Sequence, residues 1–103
     1  MSDSANPIAI FDKDPNSITD FSIDWAASEE DGGPWLDGSD FIVDSVWIVP
    51  VGVTEVSSNA SASVTTIWLS GGTAGDTYFL VNRITTDQGR VDDATIQINM
   101  VEK

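Results

Sequence analysis

The chain has 103 residues, 41% of them apolar, with four tryptophans and a net charge of −13. That length holds one domain, which buries roughly 65% of the surface its unfolded chain exposes, and the apolar content suffices to fill one core. Cysteine and histidine are both absent, which removes disulfides, thiolate metal sites, the commonest zinc ligand and the commonest general base. The charge is uneven: residues 1–44 carry 11 acids against Lys13, and residues 45–103 carry 6 against Arg83, Arg90 and Lys103. Such a field repels phosphate backbones, so no nucleic-acid partner is expected; it keeps the protein soluble or suits a basic partner surface.

At the amino-terminal end, MSDSANPIAIFDKD shows no basic segment followed by an apolar core, and nowhere do 18 apolar residues run together. Neither an export signal nor a membrane partner is expected. NPIAIF reads as an edge strand or an arm, which divides the chain into an arm over residues 1–13 and a domain over 14–103. Asp12, Asp14 and Asn16 have the alternation that opens a calcium loop, but Ser17 and Ile23 stand where the loop needs glycine and glutamate. A looser calcium site from Asp12, Asp14 and Asp20, or from residues 29–31, is the weaker alternative to no metal at all.

ITDFSIDWA alternates Ile18, Phe21, Ile23 and Trp25 against polar neighbours with one slip, and reads as a strand. Ser28 to Asp31 offers the one helical start, with Ser28 as N-cap, and Gly32-Gly33-Pro34 stops it after about one turn. Strand chemistry then dominates in DFIVDSVWIVP, ASVTTIWLSGG, TYFLVNRITT and RVDDATIQINMV, each bounded by proline, glycine or a polar turn.

Alternation sorts these strands into two faces. Ile42, Trp47, Val49, Ile67, Leu69, Tyr78, Leu80, Ile84, Ile96, Ile98 and Met100 form the expected core. Asn82 falls on the same side, where its amide needs backbone partners. Val46, Ile48, Trp68, Phe79 and Val81 point outward, an apolar set that asks for a partner. Arg83 shares that face, either as a solvated residue paired with a cross-strand acid or as an interface arginine.

Short strands with an inward tryptophan and a tyrosine opening a later strand indicate an all-β, immunoglobulin-like, two-sheet antiparallel β-sandwich of about seven strands. Tyr78 follows Gly75-Asp76-Thr77, where a tyrosine corner turns its hydroxyl back onto the backbone. Gly71, Gly72 and Gly75 then steer the chain between sheets. WLSGGTAGDTYFLVNRITT lacks the lysine and following helix of a phosphate loop. Serine nucleophiles have no histidine partner, and a small sandwich offers no deep cleft to tune a carboxylate pair, so no enzymatic activity and no cofactor are expected.

KDPNSITDFSIDW, WLDGSDFIVDSVWIVPVGVT and TTIWLSGGTAGDTYFLVNRITTDQGRVDDATIQINM, spanning residues 13 to about 100, together resemble small virion proteins of tailed bacteriophages, of the fiber–tail adaptor or Ig-like structural type. The most specific parts are Asp14-Pro15, the Trp25 strand, Asp44 to Pro50, and Leu69-Ser70-Gly71-Gly72 leading to Tyr78 and Asn82 to Thr85. The pattern departs at Ala26 to Pro34, inserted with three consecutive acids.

The resemblance implies a non-enzymatic virion component, made in the host cytoplasm, that docks onto other tail, fiber or capsid proteins, with a homo-oligomer in the particle as one arrangement. Val46, Ile48, Phe79 and Val81 are then the docking centre, Arg83 and the acidic loops its rim, and Trp68 a further outward anchor. Capsid decoration is the alternative within this class. An Ig-like carbohydrate-binding module is the alternative outside it, with Trp68, Trp35 and Phe79 as its aromatic platform.

Overall fold

In the computed structural model, residues 7–25 and 40–102 are described. Seven strands run in the order β1 (Ala9–Lys13), β2 (Thr19–Asp24), β3 (Ile42–Ile48), β4 (Val53–Ala60), β5 (Val64–Gly71), β6 (Thr77–Thr86) and β7 (Val91–Met100). They form a four-stranded sheet, β1-β7-β6-β3, and a three-stranded sheet, β2-β5-β4. With β2, β3, β6 and β7 in the places of immunoglobulin strands B, C, F and G, this is the immunoglobulin distribution of strands between sheets. The expected helical turn at Ser28 to Asp31, and Trp35, lie outside the described residues.

One pairing departs from the antiparallel expectation. β1 runs parallel to β7, with Ala9 opposite Ile96 and Lys13 opposite Met100. The chain leaves β1 for the other sheet, so no hairpin constrains its direction, and it settles along the free edge of β7. Phe11 then meets Phe21 across the sandwich with ring centroids 5.1 Å apart.

The core consists of Phe21, Ile23 and Trp25 from the β2 segment, Ile42 and Trp47 from β3, and Val53 from β4. Ile67 and Leu69 come from β5, Leu80 and Ile84 from β6, and Ala94, Ile96, Ile98 and Met100 from β7. Val49 and Tyr78 pack against it partly buried. The alternation in the sequence therefore assigns the faces of β5, β6 and β7 correctly; on β3 Ile42 and Trp47, which differ in parity, share the inner face because the register shifts between Ile42 and Asp44. Ile18, the slip in the first pattern, precedes β2 and is exposed.

β4 was not visible as a strand. Its sequence VTEVSSNA is exposed everywhere except Val53, and a bulge shifts its register against β5 between Glu55 and Ser57. A polar edge strand interrupted by a bulge loses both the composition and the period that mark a strand.

Between β5 and β6, Gly71, Gly72 and Gly75 all have positive φ, and the Thr73 backbone N–H donates to the Tyr78 hydroxyl at 3.2 Å. The loop therefore makes the expected return of the tyrosine onto the backbone preceding its strand. Gly52, at φ +114°, brings the β3–β4 turn against the Tyr78 ring.

Candidate docking surface

The outer face of the four-stranded sheet is built by register. Ile48 lies opposite Val81 and Val46 opposite Arg83 on β3 and β6; Phe79 is opposite Gln97, and Arg83 opposite Asp93, on β6 and β7. Val46 is 49% exposed, Ile48 46% and Phe79 36%, while Val81 is half-buried between its neighbours. Five of the six outward residues singled out in the sequence, Val46, Ile48, Phe79, Val81 and Arg83, thus share one surface.

Trp68 does not join them. It stands on β5, on the outer face of the three-stranded sheet, opposite Asp20 and Ser57. Parity places a residue outside but does not say on which sheet, so one outward set in the sequence becomes two surfaces on the molecule. Trp68 and Phe79 likewise cannot form one aromatic platform, and Trp35 lies outside the described residues.

The structure adds two residues that sequence reasoning missed. Ile10 on β1 pairs with Gln97 and is 60% exposed, and Ile8 just before it is also exposed; the Ile8 N–H donates to the Thr95 carbonyl at 2.8 Å. Ile8 and Ile10 extend the apolar patch across β7, and Thr95 beneath them is buried although it points outward. The signal was the Ile-Ala-Ile-Phe alternation in residues 8–11, too short to orient without knowing the strand's neighbour.

Arg83 is held in place. Its Nε donates to Asp93 Oδ1 at 2.8 Å and its Nη2 to Asp93 Oδ2 at 3.0 Å, a two-pronged pair that fixes the guanidinium plane. The hydrogen bond from Arg83 is the main cause holding the Asp93 carboxyl below the ordinary carboxylate range, against the opposing effect of burial. The same bond raises the Arg83 pKa. The patch therefore presents apolar groups beside a neutralised pair rather than a bare charge.

Beneath this face Asn82 is wholly buried, and its partners differ from those expected. Its Nδ2 donates to the Val46 carbonyl at 3.1 Å and to Ser45 Oγ at 2.9 Å. Its Oδ1 accepts from Thr65 Oγ1 at 2.7 Å and from Trp25 Nε1 at 3.1 Å. Side chains supply most of what the backbone was expected to give.

Among the described residues no three acidic side chains gather into a site for a metal ion. Asp12 lies on β1 and Asp20 on the opposite sheet, while Asp14 Oδ1 accepts the Asn16 N–H at 2.8 Å in a local turn. The looser calcium arrangement of Asp12, Asp14 and Asp20 is not assembled, and residues 29–31 lie outside the described set. A cleft of about 220 Å³ between β3 and β4 is lined by Ile42, Val43, Asp44, Ser45, Ser58, Asn59 and Ala60, and so holds one carboxylate, two hydroxyls and an amide.

Comparison with curated proteins gives no match. A family model does match, covering residues 13–99, nearly all of both sheets and Lys13 alone of β1; its description is podophage GP4 fiber-tail adaptor protein gp77. The chain belongs to this podophage fiber-tail adaptor family, whose role is that of a structural phage adaptor.

Proposed function

We propose that the protein joins a fiber to the tail by docking the outer face of its four-stranded sheet onto another virion protein, without catalysing a reaction. The observation that supports this reading most is the apolar patch of Ile8, Ile10, Val46, Ile48, Phe79 and Val81 on one face. A solvated sheet face ordinarily alternates to polar residues, and a contiguous apolar area marks a surface that another protein covers.

The patch has the anatomy of an interface: an apolar centre with an aromatic residue, and an arginine ion pair at its margin. In a symmetric particle several such contacts act together, so each copy needs only modest affinity and the protein functions where the particle holds it. A role on the capsid instead of the tail would use the same surface at a different copy number.

The test is assembly. Phe79→Asp and Val81→Asp are each expected to leave the isolated protein folded, as judged by circular dichroism and thermal melting, and to remove it from purified particles. Incorporation of both variants at the normal level would overturn the reading. Loss of folding by Val81→Asp, the half-buried position, leaves Phe79→Asp and Ile10→Asp to decide.

A further inference from the structure

We propose that the outer face of the three-stranded sheet is a second docking surface, which takes an arginine or lysine side chain of a partner protein between Trp68 and Asp20. This rests on the adaptor reading, because joining two components needs two surfaces, and the apolar patch occupies only one outer face of the sandwich.

Three observations carry it. Trp68 stands in the middle strand of its sheet and is 37% exposed, opposite Ser57 and flanked along β5 by Thr66 and Ser70. Asp20 is directly opposite in register, which puts the two Cβ atoms about 5 Å apart. The indole face attracts a cation through its quadrupole, and the carboxylate beside it adds a charge-assisted hydrogen bond, so one guanidinium or ammonium group satisfies both.

The third observation is the charge. β2 carries Asp20 and Asp24 on the side of Trp68, and β2, β4 and β5 carry neither lysine nor arginine; Glu55 on β4 is opposite the inward Leu69 and is not part of this face. Among the described residues the chain's own cations are committed elsewhere. Lys13 is buried with its Nζ donating to the carbonyls of Asp14 and Gly71 at 2.9 Å. Arg83 is paired with Asp93 on the opposite face, and Arg90 lies between Asp40 and Asp92 at the β6–β7 turn. A sheet face with acids and no base of its own is complementary to a basic surface, which it also steers toward encounter.

Photo-crosslinking in assembled particles tests this. A benzophenone amino acid is placed at Ser57, opposite Trp68, and in a second preparation at Asp44, on the other sheet. The Ser57 probe is expected to couple to a different virion protein from the Asp44 probe, through a peptide containing arginine or lysine. Coupling should fall about tenfold when Asp20→Asn and Trp68→Ala are each introduced; Asp20→Asn, at an exposed position, keeps the test decisive where loss of the partly covered indole lowers the melting temperature. No coupling from Ser57 in particles that contain the chain overturns the proposal, as does coupling to a peptide without a basic residue or coupling indifferent to both substitutions. Absence of the chain from particles overturns the adaptor reading, and this surface with it. Specific binding on a glycan array that Trp68→Ala abolishes would assign the tryptophan to a sugar and overturn the proposal as well.

Discussion

The indole N–H of Trp25 donates to Asn82 Oδ1 at 3.1 Å, tying the end of β2 in one sheet to the middle of β6 in the other. Thr65 on β5 donates to the same oxygen, and the Asn82 amide continues to Ser45 and the Val46 carbonyl on β3. One buried side chain thus meets three strand segments besides its own, directly beneath Val46 of the apolar patch. Satisfied in full, such a network fixes how the sheets are aligned; broken, it leaves polar groups without water.

Asn82→Leu should therefore cost about 2–4 kcal/mol, since it strands the Thr65 hydroxyl donor in the core and leaves the Trp25 N–H with its longer bond to Thr65 Oγ1, 3.2 Å. Trp25→Phe should cost more than Trp47→Phe by about 1 kcal/mol, because Trp47 Nε1 has no hydrogen-bond partner among the described residues. Trp47→Ala should still cost about 3–5 kcal/mol from lost packing alone, a large part of the roughly 5–15 kcal/mol typical of a domain. Urea unfolding of the four variants gives the comparison.

How much of this was legible follows from the range of each interaction. Parity identified the inward and outward sides of β5, β6 and β7, and of β3 from Asp44 onward, because Trp47, Leu69, Leu80, Ile96 and Ile98 alternate with polar or exposed neighbours; the bulge that also brings Ile42 inward is not legible in the alternation. It could not bring Val46 and Phe79 together while sending Trp68 away, since that depends on which strands pair. Asn82 was visibly inward, but Trp25 lies 57 positions from it, and only the packing of one sheet on the other supplies the contact. β4 and the parallel setting of β1 were hidden for the same reason: edge strands are fixed by their neighbours more than by their own composition.

Gly52→Ala should destabilise the protein far more than Gly75→Ala. Both glycines have positive φ, so both substitutions incur the strain of that backbone region, about 1–2 kcal/mol. A Cβ at Gly52 would lie 2.7 Å from Tyr78 Cε1, whereas a Cβ at Gly75 meets nothing within 4 Å. The Tyr78 ring cannot withdraw without giving up the bond from the Thr73 N–H. The difference between the two melting temperatures measures the steric part; equal losses would show that the ring yields freely.

Acid should unfold the protein partly through Asp40 and Asp93. Burial raises the Asp40 pKa, but hydrogen bonds from the Thr86 side chain and the Gln88 and Phe41 N–H groups, with the charge of Arg90, outweigh it and hold the value below 3.8. Asp93 is lowered by Arg83. With both folded values depressed, the unfolded chain binds more protons as the pH falls through the ordinary carboxylate range. The stabilisation is thus complete above that range and is lost as the pH drops through the folded values. Asp40→Asn should lower stability at pH 7 and flatten the decline between about pH 5 and 2; an unchanged acid limb in chemical denaturation would count against this role.

Lys13 sits at the opposite extreme, a wholly buried cation whose hydrogen-bond acceptors are both neutral carbonyls. Carbonyl dipoles repay the loss of hydration incompletely, so the charge should add little to stability while the aliphatic stem packs usefully. Lys13→Met should fall within about 1 kcal/mol of the parent protein, whereas Lys13→Ala, which empties the stem's space, should cost about 2–4 kcal/mol. Burial lowers the Lys13 pKa below 10.5, with the nearby Asp14 charge opposing it. Between the folded value and 10.5 the unfolded chain holds the extra proton, so this residue makes stability rise with pH in the alkaline range. Lys13→Met should remove that rise, and a parent protein whose alkaline stability matches the methionine variant at every pH would show that the ammonium is solvated after all.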